Sequence, residues 1–284
     1  MVMPCSPNEN FYRSIRPAPA GLFYFYTSNI GPSFGKKANL CLPCMQTLHP
    51  YSIFHLGDSA LTIDFGNGIE EALNKKVLQL FYYLQQTGNP FIKDLVPAYS
   101  SLTVYYDVCA LKKENREQTA FDTMSDMINA IAFDFENTQI TQTRLIHLPV
   151  CYAGKFAPDL EVFENHNGVS AEELIAIHTS KVYRVFMLGF LPGFAYMGEV
   201  DPRIAVPRKE RPRLEVEKGS VGIAGLQTGI YPLNSPGGWQ IFGRTPIVLF
   251  DKQADNPVLF RPGDTVQFYS ISEDEFENYQ NGHT

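Results

Sequence analysis

Apolar and polar residues alternate in two short stretches, residues 51–56 and 60–65. Alternation of this kind predicts two β-strands. In residues 69–84 the apolar positions recur instead at steps of three and four, which predicts an amphipathic helix. Gly88 follows the last periodic position and Pro90 lies just beyond it. This order of residues is typical of the end of a helix.

The same two patterns continue over the next sixty residues. Residues 92–98 and 102–108 are predicted as strands, residues 121–135 as a second helix and residues 144–150 as a closing strand. From residue 60 the order is therefore β-α-β-β-α-β. This is the split βαβ pattern of ferredoxin-like domains, in which two helices cover one face of a four-stranded antiparallel sheet.

After this region the pattern becomes mainly that of strands. Ser170 and Glu173 have the spacing of a capping box, which predicts a short helix as far as His178. Short apolar stretches separated by glycine and proline follow, and they predict a closed or nearly closed β-barrel. These stretches are residues 182–188, 220–223, 228–233, 239–242, 247–250 and 265–271.

The patterns divide the chain into four parts. Residues 1–50 hold seven of the 20 prolines without a lasting periodicity, so we predict a disordered N-terminal extension. Residues 51–148 are predicted as a small ferredoxin-like α+β domain and residues 149–273 as the barrel domain. Residues 274–284 are polar and acidic and are predicted as a flexible tail. The predicted fold class is α+β.

The composition and charge of the chain disfavour several classes of function. The chain has 284 residues, 44% of them apolar, and a formal charge of −7, which favours a packed protein and disfavours nucleic-acid binding. Apolar runs are too short for a membrane span. Cys41 and Cys44 form a single CxxC pair without further ligands at a suitable spacing, so no metal site is predicted. We expect a reduced, cytoplasmic protein.

One segment combines glycine with basic residues. Ten of the 21 glycines lie in residues 189–243, and residues 203–244 carry seven lysines or arginines against three acids. Glycine allows a close approach to the backbone, and arginine matches carboxylate or phosphate groups. This favours an anionic small molecule as ligand. The alternative is that these are solvated loop charges and barrel turns.

Local motifs supply candidate residues within this region. The run FLPGFAYMG (190–198) is a candidate aromatic pocket wall, and Gly237-Gly238 is a candidate backbone nest for an anion. His178 is a candidate general acid or base, although a lone histidine is more often structural.

Several motifs together resemble a known family. They include LGDSALTIDFG (56–66), PVCYAGKFAPDL (149–160), GSVGIAGLQTGIYP (219–232) and SPGGWQIFGRTP (235–246). In this order they resemble the family called the B subunit of 5-oxoprolinase, allophanate hydrolase subunit 1 or sporulation kinase A inhibitor. The resemblance covers residues 52–273.

The resemblance implies a fold, partners and a reaction. It implies a small α+β domain followed by a cyclophilin-like β-barrel. It further implies an ATP-dependent hydrolase that opens 5-oxoproline to glutamate, together with a larger related barrel subunit and a third subunit. ATP would be bound by a partner or at a shared site. The alternatives are an inhibitor of a sensor histidine kinase and a carboxyltransferase or allophanate-type subunit of urea degradation.

Under this resemblance the candidate residues acquire roles as hypotheses. Arginines and glycine N–H groups would stabilise a phosphorylated lactam, glutamines would hydrogen-bond the lactam, and His178 would carry a proton. The candidate catalytic residues are His178, Arg208 and Arg213. The candidate substrate-binding residues are Phe190, Pro192, Gly193, Phe194, Gln227, Thr228, Gly237, Gly238, Trp239, Gln240 and Arg244.

Overall fold

The computed structural model describes residues 51–131 and 143–282. Their first part is an antiparallel four-stranded sheet with the order β1-β2-β4-β3 and three helices. The elements are β1 (Ser52–His55), β2 (Ala60–Asp64), α1 (Glu71–Thr87), β3 (Ile92–Pro97), β4 (Ser101–Tyr106), α2 (Val108–Glu114) and α3 (Ala120–Ala130).

Alternation along the central strands gives this sheet one buried face. Leu61 and Ile63 of β2 lie opposite Val104 and Leu102 of β4, and all four side chains are completely buried. They share one hydrophobic cluster with apolar residues of α1 and α3. This buried face supplies the main favourable term for the fold of this part.

The predicted closing strand does not belong to this sheet. It forms β5 (Leu145–Cys151), which pairs with strands of the barrel, and β1 occupies the free edge of the sheet beside β2. The predicted boundary between residues 148 and 149 falls inside β5. The predicted second helix is present as α3, while Phe135 lies outside the described residues.

The second part is a closed seven-stranded barrel with the order β10-β7-β6-β13-β5-β12-β9, closed by pairing of β9 with β10. β13 pairs in parallel with β5 and antiparallel with β6. A separate ribbon of β8 and β11 accompanies it. The elements are α4 (Leu160–Asn167), α5 (Ala171–Ser180), β6 (Val182–Leu188), β7 (Ala195–Gly198), β8 (Arg213–Val216), β9 (Ser220–Ala224), β10 (Gln227–Ile230), β11 (Ser235–Gly237), β12 (Gln240–Arg244), β13 (Thr265–Ile271) and α6 (Glu273–Gln280).

Two further predictions differ from the structure. Residues 273–280 form α6 in place of the predicted flexible tail, because Ser272 and Glu275 form a capping box and Phe276 packs against Phe156. Residues 247–250 form no strand beyond a single bridge between Phe250 and Val258. Their loop lies beside the end of α6, where both line one cavity.

The described ranges, 51–131 and 143–282, lack two kinds of feature. They contain no helix with the length and hydropathy that a membrane crossing requires. They also contain no group of three or more metal-ligating side chains close enough to hold an ion. The CxxC pair and the predicted N-terminal extension lie outside these ranges.

Candidate functional site

The candidate site lies on the outer surface of the barrel. Along β7, Ala195 and Met197 point into the barrel core, so Tyr196 between them points outward. There it contacts a second hydrophobic cluster. This cluster includes Trp239 and, from the β8–β11 ribbon, Val216. The ribbon thus covers an aromatic cluster on the outside of the barrel wall.

The absence of a side chain at Gly229 leaves space for the rings of this cluster. A Cβ at Gly229 would lie 3.0 Å from Trp239 Cζ3 and 3.1 Å from Phe194 Cζ. The two rings therefore pack against bare strand backbone. They meet edge to face, with centroids 5.4 Å apart at 87°, which is a favoured aromatic geometry.

A pocket of about 280 Å³ opens beside this cluster. Among the described residues, its walls are mainly aromatic rings, proline and glycine, with two cationic side chains and no acidic one. It is lined by Phe190, Phe194, Tyr196, Arg208, Lys209, Pro212, Tyr231, Pro236, Gly237, Gly238 and Trp239. An apolar wall with a few polar groups is typical of small-molecule sites.

Phe190 stands at this pocket in an unusual backbone conformation. Its φ is 66°, the left-handed region that a bulky aromatic residue rarely adopts, and its side chain is 60% exposed. Its ring contacts Phe194 edge to face at 5.6 Å. Backbone strain of this kind is concentrated at functional sites in proteins.

Tyr231 forms another wall and is held from two sides. A Cβ at Gly237 would lie 2.7 Å from Tyr231 Cζ, so only glycine allows the ring this position. Burial raises the pKa of the Tyr231 hydroxyl, and the backbone N–H of Trp239 on its other side lowers it. Neither Gly237 nor Gly238 has a positive φ, and the Gly238 carbonyl accepts from the N–H of Lys209 at 2.7 Å. This glycine pair therefore does not have the alternating conformation of the predicted anion nest.

The two cations of the pocket differ in their partners. Arg208 is exposed, lies 5.9 Å from the centroid of Trp239, and takes part in none of the ion pairs among the described residues. The ammonium of Lys209 lies 3.0 Å from a carboxylate oxygen of Asp159. Arg208 is thus the cation with charge available for an anionic ligand.

Asp159 binds two cationic side chains and one backbone N–H next to the pocket. It is 4% exposed and accepts from Arg213 Nη2 at 2.5 Å, from Lys209 Nζ at 3.0 Å and from the Ile241 N–H at 2.7 Å. Burial raises the pKa of the carboxyl, but these three donors outweigh burial and hold it below its ordinary value. Arg213, predicted as catalytic, is therefore a partner of Asp159.

His178 lies inside the barrel core and not at the pocket. It is completely buried and stacks on Phe268, with ring centroids 4.4 Å apart. The Thr228 hydroxyl donates to the Gly222 carbonyl, so His178 Nε2 donates to Thr228 at 3.1 Å. Nδ1 then accepts from the Tyr152 hydroxyl at 2.9 Å. A neutral imidazole satisfies this chain of hydrogen bonds completely.

Burial of His178 makes the stability of the protein pH-dependent. Desolvation lowers the pKa of His178 from 6.5 to about 3, so below pH 6.5 the unfolded chain binds a proton that the folded chain excludes. We expect the free energy of unfolding to fall by about 2 kcal/mol from pH 7.5 to pH 5 through this group. Urea denaturation at both pH values measures it. His178→Gln should remove this contribution, and an unchanged slope in that variant would contradict the assignment.

The structure separates the other predicted residues into two groups. Phe190, Phe194, Arg208, Gly237, Gly238 and Trp239 line the pocket. The other residues do not line this pocket and lie in strands or loops elsewhere in the fold. They are Pro192, Gly193, Gln227, Thr228, Gln240, Arg213 and Arg244. Gln240 donates through Nε2 to the Pro207 carbonyl at 3.1 Å and so anchors the segment that carries Arg208.

Arg244 lines a second cavity of about 480 Å³ between residues 245–250 and the end of α6. Its guanidinium pairs with Glu217 and lies 5.2 Å from the centroid of Phe156. The cation is thus already neutralised by a carboxylate. Arg244 therefore offers less charge to a ligand than Arg208 does.

Sequence reasoning missed the role of three site residues, Asp159, Lys209 and Tyr231. Tyr231 and Asp159 lie within the runs used for the family resemblance, but neither has a local signal of its own. Asp159 is separated by 50 and 54 residues from the cations that it holds. Only the closed barrel brings them together.

The chain is similar to known proteins both in sequence and in fold. A family model described as carboxyltransferase domain, subdomain C and D, matches residues 51–260. The crystal structure of TTHA0988 in space group P6522 has a TM-score of 0.64 and 33% identity; the match covers 75% of this chain and 40% of that longer chain. The chain therefore belongs to this family of carboxyltransferase domains.

Relatives make the assignment narrower. The 5-oxoprolinase B subunit of Bacillus subtilis (strain 168) is 43% identical over 236 residues, 81% of this chain and 97% of that protein. The 5-oxoprolinase B subunit of Escherichia coli O157:H7 is 36% identical over 215 residues, 75% of this chain and 93% of that protein. Within the family, this chain groups with relatives that carry this name. The predicted resemblance is confirmed.

Proposed function

We propose that this chain is a subunit of an ATP-dependent 5-oxoprolinase and that its aromatic pocket binds 5-oxoproline. The observation that carries the proposal is the pairing of an aromatic wall with Arg208, a cation outside the ion pairs of the described residues. Relatives that the match covers almost completely carry the name of this activity. The cyclophilin-like description of the barrel stays a prediction from the resemblance.

The chemistry of 5-oxoproline matches this lining. The molecule is a flat five-membered lactam with one carboxylate. Its ring fits between Trp239, Tyr231 and Phe194, and its carboxylate pairs with the Arg208 guanidinium. The aromatic walls keep water from the bound ring, which strengthens the electrostatic attraction between the two charges.

The reaction sets what the site has to supply. Opening the lactam adds one water across the amide bond and gives glutamate, while a second water is consumed as ATP is cleaved to ADP and phosphate. Negative charge develops on the amide oxygen, and cationic donors nearby stabilise it. Lys209 lines the pocket, but its ammonium is already paired with Asp159, so it offers less charge to the substrate than Arg208 does. We assign Arg213 a positioning role, because Asp159 holds its guanidinium.

A first experiment tests the activity as a whole. The full chain is purified alone and together with its partner subunits, and glutamate release from 5-oxoproline is measured with and without ATP. We expect ATP-dependent release only in the assembled mixture. An assembled, folded mixture without activity would contradict the proposal and favour the kinase-inhibitor or urea-related alternatives.

Arg208→Gln tests the pocket itself. We expect the KM for 5-oxoproline in the complex to rise about 10- to 100-fold, because a charged hydrogen bond contributes roughly 1.5–3 kcal/mol. The melting temperature should not change, since Arg208 is exposed. Arg211→Gln is the matched control, because Arg211 is an exposed arginine of the same segment that does not line the pocket. Equal KM values in both variants would show that the ligand binds elsewhere.

A further inference from the structure

The loop of residues 189–194, which joins β6 to β7, holds Phe190 at the mouth of the pocket. The Leu191 N–H donates to the Gly189 carbonyl at 2.7 Å, and the φ of Phe190 between them is 66°. A hydrogen bond across two residues, with a positive φ at the middle one, defines a γ-turn of the rare, strained kind. The chain therefore places a bulky side chain where the backbone favours glycine.

The contacts of the surrounding loop fix this strained turn. The Gly189 N–H donates to the Phe194 carbonyl at 3.2 Å, and the Phe194 N–H donates to the Leu191 carbonyl at 3.0 Å. Gly193 packs against the neighbouring loop, since a Cβ there would lie 3.2 Å from the Leu249 carbonyl oxygen. A strained residue persists only where its surroundings determine its conformation in this way.

The Phe190 ring stands against two walls of the pocket and leaves one side open to solvent. Its centroid lies 5.6 Å from that of Phe194 and 6.4 Å from that of Tyr231, and it meets both rings edge to face. The side chain nevertheless stays 60% exposed. Phe54 of β1 is exposed to a similar extent, but it lies in a strand and does not line this pocket. At Phe190, exposure, backbone strain and a place in the pocket wall coincide.

We propose that Phe190 is a specificity-determining residue that covers the bound lactam and discriminates against the open-chain product, glutamate. This proposal rests on the proposed function, since the ligand is 5-oxoproline. The lactam has one charge, which pairs with Arg208, and its flat ring lies under the aromatic cover. Glutamate carries an ammonium and two carboxylates at neutral pH. Burying two further charges beneath an apolar ring costs far more than burying an uncharged amide.

Phe190→Ala in the assembled complex tests this role, because it removes the ring and keeps the loop. We expect the KM for 5-oxoproline to rise about tenfold and kcat to change less than about twofold, as for loss of apolar contact to the bound ligand. The Ki of glutamate as a competing product should stay the same or fall. Conversion of isotopically labelled 5-oxoproline measures both constants, so added glutamate does not interfere.

Phe54→Ala is the matched control, because it removes an exposed phenylalanine that does not line this pocket. Both constants should stay at their wild-type values in this variant. The ratio of KM to Ki separates recognition from a general structural role. A Phe190→Ala complex in which KM and Ki rise together would refute the specificity role.

Phe190→Gly tests the strained turn by comparison with Phe190→Ala. Both variants lack the ring, but only glycine adopts a positive φ without strain. We expect the glycine variant to melt about 2–4 °C above the alanine variant, with the same raised KM. Equal melting temperatures would contradict the strained turn. A wild-type KM in the glycine variant would show that the ring does not cover the ligand.

Binding to the full chain gives an independent measurement. Trp239 is the only tryptophan of the sequence and lines the pocket, so its fluorescence follows titration with 5-oxoproline or glutamate. Wild type should bind 5-oxoproline more tightly, and Phe190→Ala should narrow the difference about tenfold. If wild type binds and opens 5-oxoproline but Phe190→Ala keeps the same KM and the same difference, the specificity role is refuted and the proposed function stands. If wild type shows neither glutamate release nor a response to 5-oxoproline, the proposed function is refuted and the specificity role falls with it.

Discussion

Replacing His178 with alanine should lower the free energy of unfolding by about 3–5 kcal/mol. The substitution leaves a cavity among packed aromatic rings, and it leaves the buried Tyr152 hydroxyl without its acceptor and Thr228 without its donor. Urea denaturation of the purified chain measures the loss. In the complex, the KM of the remaining folded enzyme should be unchanged, because His178 does not line the pocket.

His166→Ala is the matched control for this variant. His166 is exposed near the end of α4, so its removal should have little effect on stability. The comparison also separates the structural role from the catalytic one that sequence reasoning gave to His178. A stable His178→Ala protein with a collapsed kcat would support proton transfer and overturn the structural assignment.

Asp159→Ala should reduce both stability and substrate binding. Without the carboxylate, Arg213 and Lys209 lose their common partner and the buried Ile241 N–H loses its acceptor. Loss of one partner of a buried ion pair costs about 3–5 kcal/mol, and the partial exposure of both cations favours the lower end. The segment that carries Arg208 then loosens, so we expect a higher KM as well.

Asp201→Ala is the control for Asp159→Ala. Asp201 pairs with Arg203 through two oxygens on the same barrel, but water reaches this pair, since the Asp201 side chain is 30% exposed and that of Arg203 is 61% exposed. Exposed ion pairs contribute little, so the loss of stability should be much smaller and KM should not change. An equal loss in the two variants would show that burial of Asp159 carries no special weight.

Lowering the pH should also weaken the interactions of Asp159, because protonation removes the charge of its carboxylate. The pKa of this carboxyl is lowered in the folded state, so its contribution is complete above the ordinary carboxyl range and is lost as pH falls through the lower folded value. This loss therefore comes at lower pH than that caused by His178. The two groups weaken the protein in successive pH ranges.

Periodicity predicted the local elements of this fold well, but not their pairing. The apolar spacing of residues 69–84 indicated α1, and Ser170 does accept the Glu173 N–H as expected. The same alternation describes a strand in either sheet. The pattern of residues 144–150 therefore could not show that β5 pairs with β13 in the barrel.

The site was predictable only where composition pointed to it. The glycine-rich basic segment indicated Arg208, Trp239 and the aromatic run, and the structure brings these together at one pocket. The hydrogen bonds of Asp159 and the burial of His178 depend on contacts between distant parts of the chain. No local pattern of residue types reports such contacts, which explains why Asp159 was missed and why the burial of His178 was not predicted.

The position of β13 sets the order in which the barrel can form. This strand lies between β6 and β5 and pairs with β5 across about 120 residues of intervening chain. Contacts so distant along the chain form late, since a long loop must close first. During synthesis on the ribosome, β5 and β6 therefore stay unpaired along one edge until residues 265–271 emerge. Exposed strand edges attract other chains, so the nascent protein is most prone to aggregation in that interval.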